Sequence, residues 1–426
     1  MKKVYTLKEI VGFAMANSSF YGELYKNIDP ENFQLKDLPV IEQEKFWMAN
    51  NISENSLLTG AISDGIVLKS GGTTGHPKFS IFTKTEWENF TQIFGMGLDQ
   101  SNLSPGDRVV NLFYSGELYA SFIFIMKSLE HARTKVVHFP VAGKCPPEQL
   151  IRIIQDFNVN VLAGVPTFFM NFVAALKKKD VNLNIEKILY GGEELYRDQR
   201  ERLIDCFPGV KISSIGYASV DGGHLGYVDK SCGPGEHCVF SDSSIMELVD
   251  ENTGESITEL NVPGRLIFTN LARKLMPIIR YPVGDKAQWV STEVVNGELR
   301  GTRFLLGGRS EEGARIGPVT MNRDDFLDVL SLYERRKYIS NFQLIIEHYD
   351  GKDELTWRIA VFDRYIQQVN ADLTDIMEIF YGQRKMFKEA MEEGFIHPIK
   401  IEIVLHNDLV QNRRTGKLRS VIDRRE

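Results

Sequence analysis

From about residue 60 to 225, short apolar runs alternate with stripes of helical spacing. Leu150, Ile151, Ile154 and Phe157 fall on one face of a helix predicted from Pro147 to Phe157. Val159 to Val165 reads as a buried strand, and Thr167 then caps a predicted helix carrying Phe169, Phe172, Val173 and Leu176. Ile188-Leu189-Tyr190 and Lys211 to Tyr217 read as further strands. Strands alternating with helices predict a parallel sheet covered by helices, with ligands bound outside the C-terminal ends of its strands. Gly71, Gly164, Gly191 and Gly216 each follow or end a predicted strand, where they would line one crevice.

The pattern differs on either side of this region. Thr6 and Glu9 form a predicted capping box ahead of an amphipathic helix with Leu7, Ile10, Val11 and Ala14 on one stripe. From Ser243 to about Val290, strands broken by Gly and Pro predict an antiparallel or barrel-like subdomain. Gly307 to Gly313 reads as a polar linker. Beyond it, Phe342 to Tyr349 and Thr356 to Phe362 alternate like paired strands around Asp350-Gly351, followed by a helical segment near 367–393 and a strand from Lys400 to His406. The expected fold class is α/β. A large N-terminal domain, residues 1–308, has parallel sheets and a small β subdomain, and residues 309–426 form a small mobile α+β domain.

Composition narrows the function classes. At 426 residues the chain exceeds the size at which one core keeps growing, so more than one domain is expected. A net charge of −7 argues against a nucleic-acid partner, which needs a clustered basic face. Cys145, Cys206, Cys232 and Cys238 are too few for a disulfide framework in so long a chain. With no secretory signal and no apolar run of spanning length, a cytoplasmic setting without membrane partners is expected.

The chemistry begins at Ser70-Gly71-Gly72-Thr73-Thr74-Gly75-His76-Pro77-Lys78, after the apolar run Ile66-Val67-Leu68. Glycines let backbone N–H groups approach a ligand, and successive N–H groups make a concavity that suits an anion. Thr73 and Thr74 add hydroxyl donors and Lys78 a positive charge, so the loop is built for phosphate. It is no Walker loop, because no Gly-Lys-Ser/Thr closes it. Nor does a Gly-x-Ser-x-Gly nucleophile elbow occur anywhere in the chain.

This loop resembles the phosphate loop of adenylate-forming enzymes, which activate carboxylic acids with ATP. Four later segments follow in that family's order: Tyr217-Ala218-Ser219-Val220-Asp221, Tyr281-Pro282-Val283-Gly284-Asp285, Gly308-Arg309-Ser310-Glu311-Glu312 and Arg414-Thr415-Gly416-Lys417-Leu418-Arg419. The opening residues, with Asn17-Ser18-Ser19-Phe20-Tyr21 and Leu38-Pro39-Val40, are similar to the phenylacetate–CoA ligase-like branch.

The resemblance implies roles residue by residue. Thr73, Thr74 and Lys78, with Ser70, Gly71, Gly72 and Gly75, would hold the phosphates of ATP. Gly191, Gly192, Glu193, Tyr217, Ala218 and Ser219 would bind the nucleotide, with Tyr217 stacked on adenine. Asp285 would accept hydrogen bonds from both ribose hydroxyls, since a carboxylate matches a vicinal diol. Arg309 would reach ribose or phosphate. Lys417 would bridge the acid and the α-phosphate during adenylation, alongside Thr73 and Lys78 as catalytic groups. Asp221 would help hold Mg²⁺, although it is one methylene shorter than the family glutamate, and Val220 replaces a hydroxyl residue. The acid pocket would lie among Tyr114, Gly164, Pro166, Phe168, Tyr190, Gly216, Gly223 and His224, and its aromatic content suits an aryl acid.

The implied activity is an AMP-forming acid–thiol ligation: ATP and Mg²⁺ make an acyl adenylate, CoA takes the acyl group, and the C-terminal domain rotates about Glu311 or Glu312. The alternatives are an enzyme of a natural-product pathway, such as phenazine biosynthesis, handing the acyl group to an amine, carrier protein or reductase, and a non-catalytic nucleotide-binding homologue. A second copy or a downstream biosynthetic enzyme is the candidate protein partner. Cys232, His237 and Cys238, with His224 nearby, match no standard tetrahedral spacing, so zinc is not expected.

Overall fold

Five strands, Val137–Pro140, Arg108–Asn111, Val161–Gly164, Lys187–Tyr190 and Lys211–Ser214, lie in that order in a wholly parallel sheet. The computed structural model describes residues 3–51, 54–69, 78–250, 253–295, 298–309, 313–334, 338–361, 365–405, 408–410 and 420–425. Successive residues of a strand point to opposite faces, and the sheet feeds two cores accordingly. Val109, Val161, Ala163 and Leu189 join Phe90, Phe94 and Phe124 of the helices Lys84–Leu98 and Ser121–His131. Val110, Leu162 and Ile188 join Leu150, Phe169, Phe172 and Leu203 of the helices Pro147–Asp156, Pro166–Lys179 and Arg197–Cys206. Thr167 is not the expected cap. Pro166 takes the first helical turn, where its missing N–H costs nothing, and Thr167 lies inside the helix with its N–H and hydroxyl on Glu193 Oε2.

The subdomain expected from Ser243 onward is an antiparallel sheet ordered Glu236–Cys238, Glu298–Arg309, Tyr281–Val295, Pro263–Asn270, Ser244–Val249. Residues 307–309 belong to its second strand rather than to a linker, because Asp285 pairs with Arg309 and extends the ladder. The N-terminal segment packs into the same core: Ile10, Val11, Tyr21 and Phe46 meet Phe268, Tyr281, Trp289 and Phe304.

Residues beyond 313 build a core of their own, in which Phe326, Leu344, Trp357, Phe380 and Phe387 are fully buried. Its frame is the hairpin of Ile339–Tyr349 and Lys352–Val361, closed by Asp350 and Gly351 at φ 50° and 77°. That two-residue turn matches the right-handed twist of the strands. Lys400–Leu405 and Val421–Asp423 add parallel strands on its two sides. The helical segment expected near 367–393 is three helices, Ile366–Ala371, Leu373–Gln383 and Lys385–Glu392. Among the described residues no helix is long and apolar enough to cross a membrane.

Candidate active site

A cavity of about 1820 Å³ opens where the parallel strands end at Tyr190 and Ser214. The antiparallel sheet, the N-terminal segment and residues around Arg315 and Arg425 complete its walls.

One wall is polar. Tyr217 and Asp285 stand on different strands, and the Tyr217 hydroxyl donates to Asp285 Oδ2. Beside them Tyr281 donates its hydroxyl to Asp221 Oδ2 at 3.0 Å, and Trp47 Nε1 donates to the Tyr281 oxygen at 3.0 Å. Asp221 is thus oriented through one oxygen. Its Oδ1 accepts no hydrogen bond among the described residues and remains available to a cation. The buried Arg273 donates to the Asp221 backbone oxygen at 2.9 Å and fixes this turn. Lys78 Nζ lies 5.5 Å from the centre of the Trp47 ring. Ala218, Ser219, Gly191, Gly192 and Glu193 also line the cavity. Burial pushes the Glu193 carboxyl up from its ordinary range, against the opposing pull of Arg315.

The other wall is aromatic. Phe90, Phe94, Phe113 and Phe124 line it, with Phe124 4.5 Å from Phe90 and 4.7 Å from Phe94 between ring centres. Gly216 sits beside them at φ 126°, and a Cβ there would come 2.6 Å from Phe94 Cζ. Only glycine meets both conditions.

Not every residue expected at the site lines this cavity. Tyr190 and Gly216 do, whereas Tyr114, Gly164, Pro166, Phe168, Gly223 and His224 do not. Phe168 turns into the opposite core beside Phe169 and Phe172. His224 is 1% exposed among Phe90, Phe240 and Phe268. Tyr114 packs edge-on against Tyr119, with Lys144 Nζ 5.3 Å from its ring centre. Ser70, Gly71, Gly72, Thr73, Thr74, Gly75, Glu311, Glu312 and Lys417 lie outside the described residues, as does the Arg309 side chain. His237 is no metal ligand here. Its ring nitrogens face Ser214 Oγ and the Gly235 oxygen, each at 3.1 Å, and burial pushes its pKa down to about 4.

Sequence reasoning passed over Trp47 and the four phenylalanines, and it named Tyr281 within a motif without giving it a role. Phe90 and Phe94 carried a signal, an i, i+4 pair on a helix beside the phosphate-loop strand, but that spacing equally marks a core stripe. Trp47 carried none.

Known proteins resemble this chain over most of its length. The profile of the AMP-binding enzyme family matches residues 66–270. Phenylacetate–coenzyme A ligase of Thermus thermophilus is 24% identical, over 99% of this chain and 95% of that protein. Indoleacetate–lysine synthetase of Pseudomonas savastanoi is 25% identical, over 62% of this chain and 64% of its own. Among solved structures, 2-hydroxyisobutyryl-CoA ligase with 2-HIB-AMP and CoA in the thioesterification state superposes with a TM-score of 0.73 at 16% identity, covering 99% of this chain and 88% of that one. The same ligase in its postadenylation state gives 0.63. Residues 66–270 thus carry the likeness to the AMP-binding enzymes, and the whole chain is similar to phenylacetate–CoA ligases.

Proposed function

We propose that this protein activates an aryl carboxylic acid with ATP as an acyl adenylate and then transfers the acyl group to the thiol of CoA. In the first step a carboxylate oxygen attacks the α-phosphorus and pyrophosphate leaves. In the second, the thiol attacks the acyl carbonyl and AMP leaves. The observation that carries the reading is one cavity joining the Tyr217–Asp285 pair and the Asp221 turn to a wall of four phenylalanines.

Asp285 is suited to accept from both ribose hydroxyls, with Tyr217 fixing its orientation and offering a ring to adenine. Lys78 faces the cavity from the end of the phosphate loop, and we assign Thr73 and Thr74 to the β- and γ-phosphates. Asp221 fits a Mg²⁺ ligand, since one carboxylate oxygen is held by Tyr281 and the other faces no hydrogen-bond donor among the described residues. When bound, the ion would neutralise phosphate charge. Phe90, Phe94, Phe113 and Phe124 offer flat apolar contacts to an aromatic ring.

Residues 309–426 are assigned as the lid that brings Lys417 for adenylation and moves it away for thioester formation. The higher similarity to the thioesterification state of 2-hydroxyisobutyryl-CoA ligase supports the lid's arrangement here as the thioester-forming one. A second reading, favoured by the likeness to indoleacetate–lysine synthetase, replaces the thiol with an amine.

The test is ATP–pyrophosphate exchange over a panel of aryl and alkyl acids, followed by mass spectrometry of the product with CoA present or omitted. Exchange with aryl acids and a CoA-dependent thioester is expected. No exchange with any acid refutes the adenylation step, and exchange with product only in the presence of an amine replaces the acceptor.

A further inference from the structure

Outside the cavity, three metal-binding side chains converge. Asp229 and Cys232 lie on the loop after the Gly223–Gly226 strand, and Cys238 ends the next strand, Glu236–Cys238. Cys232 Sγ is 3.7 Å from Cys238 Sγ, and Cys238 Sγ is 3.5 Å from Asp229 Oδ2. One ligand atom from each residue lies within 4.8 Å of the others.

These separations have a specific meaning. Zinc bonds a thiolate at ~2.3 Å and a carboxylate oxygen at ~2.0 Å, so tetrahedral angles put two sulfurs ~3.8 Å apart and sulfur ~3.5 Å from oxygen. Both values match the spacings found. A disulfide would need the sulfurs at about 2.05 Å and has no use for a carboxylate. Asp229 is also held for the purpose. Its Oδ1 accepts from the Ser231 N–H at 2.8 Å and the Ser231 hydroxyl at 2.6 Å, while Oδ2 faces the sulfur.

We infer that Asp229, Cys232 and Cys238 form a zinc site whose fourth position is open to water. Two thiolates and a carboxylate around Zn²⁺ carry one net negative charge, and Arg303 supplies its complement. The Arg303 guanidinium lies 3.1 Å from Asp229 Oδ2 and 2.7 Å from Ser231 Oγ. Partners of this kind around the ligands orient them and tune the metal.

The role is structural. Cys238 pairs with Arg303 in the antiparallel sheet, and its neighbour His237 lies 5.8 Å from the Tyr217 ring and stacks on Phe304. Zinc would tie the loop to the strand that backs Tyr217. The site differs from the histidine-containing set weighed from the sequence: Asp229 replaces His237 and His224.

The test is zinc content of the full chain, purified without chelator, together with Co²⁺ titration of the chelator-stripped protein. One zinc per chain is expected, and Co²⁺ should show the intense thiolate charge-transfer and visible bands of a tetrahedral cysteine site. Cys232→Ser and Cys238→Ser should each lose the metal and the bands, whereas Cys145→Ser and Cys206→Ser should keep both. Should a variant fail to fold, the Co²⁺ spectrum of the unaltered chain still decides. Absence of tetrahedral cobalt bands, zinc retained in the Cys232→Ser/Cys238→Ser double variant, or a metal-free chain with a Cys232–Cys238 disulfide overturns the inference.

Discussion

If the arrangement seen here is the thioester-forming one, the contacts pinning the C-terminal hairpin to the parallel-sheet region should matter for the second half-reaction and not the first. The best placed of them is Gln199. It is 3% exposed, its Nε2 donates to the Gly351 carbonyl at 3.0 Å, and its Oε1 accepts from the Tyr196 N–H at 3.1 Å. Gln199→Glu keeps the helix-capping acceptor and the shape. It removes the donor and sets a carboxylate oxygen against a buried carbonyl. Leaving a buried acceptor unpaired costs about 1–3 kcal/mol, or a shift of about 5- to 150-fold against the closed arrangement. The neighbouring Arg202–Asp350 pair, 42% and 75% exposed at its side chains, cannot compensate, because solvent-exposed ion pairs contribute little.

On the proposed function the two arrangements exchange in every turnover, so a shift of this size falls on whichever half-reaction needs the closed one. Thioester formation from supplied acyl adenylate and CoA should slow by about 5- to 150-fold, while ATP–pyrophosphate exchange stays within a factor of two or three. Equal loss in both assays would mean a folding defect. An unchanged thioester rate would refute the assignment of this interface to that step.

Three further outcomes are expected. Asp285→Ala should raise the KM for ATP by about 10- to 150-fold, the loss of charge-assisted bonds worth about 1.5–3 kcal/mol; unchanged ATP affinity by calorimetry would remove Asp285 from the ribose. Asp221→Asn should shift the Mg²⁺ requirement upward and Asp221→Glu should keep or raise activity, and a metal titration indifferent to both would dismiss the ligand role. Finally, burial holds the His237 pKa at about 4 in the folded chain, against ~6.5 when unfolded. The unfolded state therefore takes the proton first, so stability present above pH ~6.5 is lost as pH falls toward 4, by up to ~3 kcal/mol. Urea midpoints measured across that window should show a slope that His237→Gln flattens.

Much of the fold was legible because its causes are local. The Thr6–Glu9 capping box is formed, with Glu9 N–H on Thr6 Oγ1 at 3.2 Å and Thr6 N–H on Glu9 Oε2 at 2.7 Å. Of the parallel strands, Val161–Gly164 and Lys187–Tyr190 declared themselves as short apolar runs because both of their faces are covered, whereas Arg108–Asn111 and Val137–Pro140 were not read from the sequence. The polar cavity wall was legible for a related reason: Tyr217, Asp221 and Asp285 sit in short motifs whose internal spacing survives folding. The aromatic wall is different. Its phenylalanines come from separate helices and a strand end, and each alone is indistinguishable from core. Trp47 reaches Tyr281 across 234 residues of sequence, which no local pattern can report.

The zinc reading shows the same limit in its sharpest form. In the sequence His237 stands next to Cys238, and that adjacency counted against their sharing one ion. On a strand, adjacency is the one spacing that fails, because neighbouring side chains leave opposite faces. His237 accordingly packs inward on Phe304 and against Ser214, while Cys238 turns to the loop that carries Asp229 and Cys232. The carboxylate nine residues upstream is brought back by a turn whose geometry is set by Ser231 and Arg303. A ligand set read by spacing therefore needs the face of the strand before it can be trusted, and here the face exchanges a histidine for an aspartate.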